Sequence, residues 1–287
     1  MSTFSFSALT VAVLLLTLAQ ADAAEIQVKR NVPYTQPNDS QRRLDIYSTE
    51  PAEDRPIMVW IHGGGWKRGD KAAVQDKPKA FLEHGFLFVS INYRFVPEVT
   101  VAEMTADVAR AIRWVHDHAS EFGGNADEVF LGGHSAGAHL AALVCTDESY
   151  LQAEGLTLAQ VKGCVPVDTA MYDIPTRIEA SGPRQADYYR ELFGQEIATQ
   201  RKLSPITHVA PDKGIPPFLI LHVADRVDST TQSQALAKAL KQAGVAAKVV
   251  PAKGKTHGTI NRDLGTPVDE STIALFQFLS DHEPRGR

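Results

Sequence analysis

Six short runs of β-branched and apolar residues recur along this chain, at 57–61, 85–91, 128–131, 163–167, 217–223 and 245–250. None alternates polar with apolar, which is the pattern of strands buried on both faces. Between them lie stretches with helical spacing: residues 101–116 place Val101, Met104, Val108, Ile112 and Val115 on one face, and 232–243 and 272–279 repeat the spacing. Strand and helix in repeated alternation predict an α/β fold with a mostly parallel central sheet and helices on both faces. With 287 residues, 44% of them hydrophobic, one large core is enough, and residues 24–287 read as a single domain. Residues 171–210 break the rhythm with Pro175, Gly182 and Pro183 and irregular polarity. They read as a small cap excursion over the sheet, with short helices at most and too few apolar residues for a second core.

The formal charge of −5 comes from interspersed acids and bases, with no basic stripe to track phosphates, so nucleic acid is not an expected partner. Residues 1–23 hold an apolar run from Ala8 to Ala19, then the small-residue patterns Ala19-Gln20-Ala21 and Ala21-Asp22-Ala23. This reads as a secretory signal peptide, although the first base is Lys29; a membrane anchor or a buried hydrophobic arm are the alternatives. No later segment is long and apolar enough to span a bilayer, so a secreted or periplasmic protein without a membrane span is expected. The two cysteines, Cys145 and Cys164, could pair after export or remain two small buried side chains.

Gly133-His134-Ser135-Ala136-Gly137 follows an apolar strand and precedes a strong helix former. A serine on such a bend is lifted to the helix N-terminus, where the dipole favours developing negative charge; the bland alternative is a structural turn. A serine hydroxyl is a poor nucleophile unless a base, a group to orient that base and oxyanion donors accompany it. His62-Gly63-Gly64-Gly65-Trp66 follows the strand at 57–61, and the N–H groups of Gly64, Gly65 and Ala136 are the expected oxyanion donors. His257 lies in a glycine-bearing loop after the strand at 245–250 and is the expected base. For the acid, Asp225 and Asp228 share the loop after the strand at 217–223; Asp225 is preferred, with Asp228 a candidate helix cap. His62 and His134 read as packing and loop-holding groups, and no cluster has the spacing of a metal site. Trp66, Met171 and Tyr172, with Ile174, Tyr188, Tyr189 and Phe193, could wall a substrate pocket or only pack the cap onto the sheet.

The motifs HGGGW at 62–66, NYRFVPE at 92–98, GGHSAG at 132–137 and THGTIN at 256–261 together resemble the carboxylesterase and lipase branch of the α/β-hydrolases. The nearer likeness is to the BD-FAE and hormone-sensitive-lipase-like esterases and the related arylformamidases, over nearly all the chain after residue 40. In that family the acid lies eight residues before the serine of a Gln-Ser pair, and Gln232-Ser233 puts that position at Asp225. Two departures stand out: His134 where many relatives have Asp, and a loop before Asp225 that is one residue short.

The resemblance implies a serine carboxylic-ester hydrolase with the order Ser135, Asp225, His257, no cofactor and a small-molecule substrate, a short-chain or aryl ester. An arylformamidase acting on N-formyl aromatic amides is the nearest alternative, and a non-catalytic binding module on the same fold is an alternative of another class.

Overall fold

The computed structural model describes residues 25–36, 39–50 and 53–283; the segment read as a signal peptide lies outside them. Eight strands form one sheet: β1 (Ile26–Pro33), β2 (Arg43–Thr49), β3 (Arg55–Ile61), β4 (Leu87–Ile91), β5 (Gly124–His134), β6 (Val161–Val167), β7 (Phe218–Val223) and β8 (Ala247–Ala252). Their spatial order is β1-β2-β4-β3-β5-β6-β7-β8. The first two pairings are antiparallel and all others parallel.

Period-two alternation sends successive residues of the central strands into two separate cores. Ile57, Val59 and Ile61 of β3 pack in one, and Met58 and Trp60 in the other. Strand β7 divides likewise, Phe218 and Ile220 against Leu219, Leu221 and Val223. Both faces therefore need apolar cover, which explains the unbroken hydrophobic runs.

The first face is covered by α2 (Val101–His118), α3 (Ala136–Thr146) and α8 (Val227–Gln242), the second by α1 (Lys77–Glu83) and α10 (Glu270–His282). Helix α2 starts at a capping box, Thr100 with Glu103, and buries the predicted stripe from Val101 to Val115. A short helix α4 (Ser149–Ala153) follows α3. Within 171–210 the chain forms α5 (Ile174–Glu179), α6 (Pro183–Phe193) and α7 (Ile197–Lys202), so the excursion is more helical than its irregular polarity predicts. Gln232 of α8 anchors its start, accepting from the N–H groups of Tyr172 at 3.0 Å and Asp173 at 2.7 Å. Helix α9 (His257–Arg262) follows β8. Among the described residues no helix is long and apolar enough to cross a membrane, and Cys145 and Cys164 are buried free thiols.

The strand order turns about β3 and β5. From β3 the chain moves outward to β4, then returns across β3 to β5 and proceeds the other way through β6, β7 and β8. Such a reversal leaves a crevice at the carboxyl ends of the central strands, and β5 delivers Ser135 there.

Candidate active site

Ser135 stands between β5 and α3 with φ 57° and ψ −116°, a positive φ that a non-glycine residue adopts only when its surroundings impose it. Two contacts impose it. The Ser135 N–H donates to Val167 O at 2.9 Å, and the flanking glycines leave no room for a wider bend. A Cβ on Gly137 would lie 2.1 Å from Ile61 O, and one on Gly133 would lie 2.6 Å from the Gly137 carbonyl.

His257 is the first residue of α9, held by the Thr256 and Thr259 capping box. Its Nε2 lies 3.0 Å from Ser135 Oγ and its Nδ1 lies 2.6 Å from Asp168 Oδ2. With the proton on Nδ1, Nε2 can take the serine proton and the carboxylate can stabilise the resulting imidazolium.

The acid behind the histidine differs from the sequence expectation. Asp225 is exposed, and Asp168, directly after β6, occupies the place against His257. The reason is the short turn between β7 and α8. Ala224 N–H is tied to Ala252 O and Arg226 N–H to Val223 O, so Asp225 sits at the outer corner and Arg226 turns inward. Asp228 neither serves the imidazole nor caps α8 from outside; it lies in the first turn and accepts from Arg177 and Arg226.

Asp168 is fully buried. Its Oδ1 accepts from Val223 N at 3.1 Å and Ser229 Oγ at 2.7 Å, and Oδ2 accepts from His257 and from Arg226 Nη1. Burial alone would raise its pKa, but these hydrogen bonds and the Arg226 charge outweigh it and hold the carboxyl well below the usual range. A second histidine braces the first. His134 donates from Nε2 to His257 O at 2.8 Å, its ring 4.5 Å from the His257 ring. Burial, with His257 beside it, pushes the His134 pKa down to about 3, so this ring is neutral.

A cavity of about 730 Å³ opens over Ser135 and His257. Gly63, Gly64 and Gly65 form one wall, with Trp60, His62, Lys67, Arg68, His134, Tyr188 and Asn261 around them. Among the described residues the N–H groups of Gly64 and Gly65 donate to no main-chain carbonyl, which leaves them available to an oxygen in the cavity. Tyr188 of α6 donates its hydroxyl to Gly65 O at 3.0 Å and so ties the cap to this wall. Ala136, the third expected donor, is the buried first residue of α3.

Of the residues expected to wall the pocket, Tyr188 does so, while Trp66, Met171 and Tyr172 are buried elsewhere. Trp66, at φ 61°, turns into the core against His139 and Phe193. Met171 and Tyr172 pack beneath the cap. Trp60, Lys67, Arg68, His134 and Asn261 were not expected in the wall. Trp60 packs in the core of the second face and also lines the cavity. Among the described residues no three His, Cys, Asp or Glu side chains converge as a metal site requires.

Comparison with known proteins gives a consistent placement. The BD-FAE family matches residues 44–240. The chain is 28% identical to a probable isoprenylcysteine alpha-carbonyl methylesterase of Oryza sativa subsp. japonica, over 80% of this chain and 58% of that protein. It is 29% identical to LipM, a probable carboxylic ester hydrolase of Mycobacterium tuberculosis, over 85% of this chain and 57% of that one. The chain thus spans a little over half the length of these relatives. Among solved structures it is similar to the thermophilic esterase Est2 of Thermogutta terrifontis with butyrate bound, at 27% identity and a TM-score of 0.70, covering 92% of this chain and 96% of that one.

Proposed function

The chain belongs to the BD-FAE family of α/β-hydrolases, and from that premise we propose that it hydrolyses carboxylic esters through an acyl-enzyme on Ser135. The observation that carries the reading is the unbroken hydrogen-bond chain from Ser135 through His257 to Asp168, set at a strained elbow beneath a glycine wall.

In the first half-reaction His257 Nε2 takes the proton of Ser135 Oγ as the oxygen attacks the ester carbonyl. The carbonyl oxygen gains charge where the N–H groups of Gly64, Gly65 and Ala136 can meet it, each such donor typically lowering the barrier by roughly 3 kcal/mol. His257 then gives the proton to the departing alcohol. Water enters by the same route and releases the acid. Asp168 stays ionised throughout, because its four donors hold the charged form, and it fixes the proton of the resting imidazole on Nδ1.

The open cavity, with the rings of Trp60, His62 and Tyr188 and the cations Lys67 and Arg68, suits a short acyl chain or an aryl group. The butyrate held by Est2 of Thermogutta terrifontis supports the short-chain reading. Ester-hydrolase names among the relatives favour an ester over an N-formyl amide as the substrate. The apolar run within residues 1–23 supports export to the periplasm or medium. The test is turnover of p-nitrophenyl butyrate against N-formylkynurenine by wild type and Ser135→Ala. Ester turnover lost in the variant supports the proposal; a variant that keeps substantial turnover overturns it.

A further inference from the structure

Arg226 is the residue that the shortened turn brings inward, and it touches both partners behind the nucleophile. Its Nη1 donates to Asp168 Oδ2 and also lies 2.8 Å from His257 Nδ1, while that Nδ1 lies 2.6 Å from the same Asp168 oxygen. Three polar atoms therefore share one triangle. A guanidinium has only donors, and an imidazole nitrogen carrying its proton is also a donor. The contact between Arg226 and His257 is a hydrogen bond only when Nδ1 is bare. The proton then sits on Nε2, faces Ser135, and leaves no base. With the proton on Nδ1, both groups donate to Asp168 Oδ2 and a positive charge stands beside the ring that must become an imidazolium.

Resting on the ester-hydrolase reading above, we propose that Arg226 is a positioning residue that restrains Asp168 and, by its charge against Nδ1 of His257, sets the acidic limb of the pH profile of turnover. The arginine is itself anchored to the cap. Arg226 Nη2 lies 3.4 Å from Asp228 Oδ2, which accepts from Arg177 Nη2 of α5 at 3.0 Å. Arg177 is buried, donates to Ser181 Oγ and lies over the ring of Tyr189 on α6. The adjacent residue of α6, Tyr188, holds the glycine wall. The cap thus touches the acid side of the site through Arg226 and the oxyanion side through Tyr188.

The other charged or titratable neighbours of His257 are few. His134 packs against it from the elbow and is neutral; Lys77 of α1 donates to Asn261 O on α9 itself; Lys67, Arg68 and Asp70 line the cavity. Arg226 is the cation in direct contact with the ring. Removing Arg226 takes away the cation that stands 2.8 Å from Nδ1 of the ring that must carry the transferred proton, so the acidic limb of turnover moves up.

The test is the pH dependence of kcat/KM for p-nitrophenyl butyrate in wild type, Arg226→Lys, Arg226→Gln and Arg226→Met, each checked for folding by thermal unfolding. Arg226→Gln and Arg226→Met should move the acidic limb upward by roughly half a unit or more, the expected size for losing a neighbouring like charge. Arg226→Lys should keep the wild-type limb. Arg226→Met should in addition lower kcat about ten-fold at the plateau with KM within two-fold, because Asp168 Oδ2 then loses the one donor that holds it beside the imidazole, while Val223 N and Ser229 Oγ hold only Oδ1. Folded Gln and Met variants whose limbs coincide with wild type overturn the proposal. If neither of these folds, the Asp228→Asn variant, which frees the anchor, must itself displace the limb, and an unmoved limb there overturns it too. Ser135→Ala separates the two readings: an inactive Ser135→Ala beside unmoved Arg226 profiles removes the role of Arg226 alone, whereas an active Ser135→Ala removes the ester-hydrolase reading beneath it.

Discussion

Asp168 Oδ2 lies 2.6 Å from His257 Nδ1, although 89 residues separate the two along the chain. The carboxylate against His257 therefore stands directly after β6, the strand beside the one that bears Ser135, and the turn after β7 carries an arginine inward in place of a carboxylate.

Neutralising each aspartate in turn distinguishes them. Asp168→Asn should lower kcat for p-nitrophenyl butyrate by about 10³- to 10⁴-fold, the size expected when the orienting carboxylate is lost. Asp225→Asn, at an exposed corner, should stay within about two-fold of wild type on the same assay, a surface change of little consequence. Steady-state kinetics of the two variants side by side decides it.

The neutral histidines predict an acid-side loss of stability. His134 has its pKa lowered to about 3 and His139 to about 4, both chiefly by burial. Unfolded, each would protonate near 6.5. The unfolded chain thus binds more protons below that pH, and stability falls from about pH 6.5 toward the native values, by at most about 1.4 kcal/mol per pH unit for each ring. Urea unfolding at pH 7.5 and pH 5 should show a smaller drop for His134→Gln than for wild type. An equal drop would remove His134 from the explanation.

Gly137 is required by closeness rather than by flexibility. The methyl of Gly137→Ala would lie 2.1 Å from the Ile61 carbonyl oxygen, backbone that cannot swing aside. The expected cost is about 3 kcal/mol or more, the upper range for overpacking. Chemical denaturation reads it directly, and a variant as stable as wild type would mean that the elbow has more slack than its contacts indicate.

Tyr188 makes one hydrogen bond to the glycine wall. Its loss in Tyr188→Phe should cost about 1 kcal/mol of folding stability, a fall of about 2–4 °C in the unfolding midpoint that thermal denaturation reads, and an unmoved midpoint would mean that the bond holds nothing.

Much of this arrangement is legible in the amino-acid order because the strands that build the site are buried on both faces. The runs at 57–61, 163–167 and 217–223 lie within or nearly coincide with β3, β6 and β7, and the elbow is read from the glycines around Ser135 together with the strand before it and the helix former after it. Strand β2 escapes notice because Asp45 interrupts it, a buried acid that Lys71 pairs with at 3.0 Å from a distant loop. Strand β1 escapes because it is an exposed edge. The acid at the site differs from the expected one for a related reason. Asp168 also ends a buried strand, so strand-end logic admits it as readily as Asp225. What separates them is the length of the turn after β7 and the partners Val223, Ser229 and Arg226 gathered around Asp168, all of them contacts between distant parts of the chain.

The most direct measurement of the central claim is the intact mass of the protein after reaction with a p-nitrophenyl alkylphosphonate, which reacts fastest with an activated hydroxyl. The expected result is one adduct per chain, located by peptide mapping at Ser135 and absent from folded Ser135→Ala. A folded wild-type protein that takes up no phosphonate, or takes it up at another residue, would contradict it.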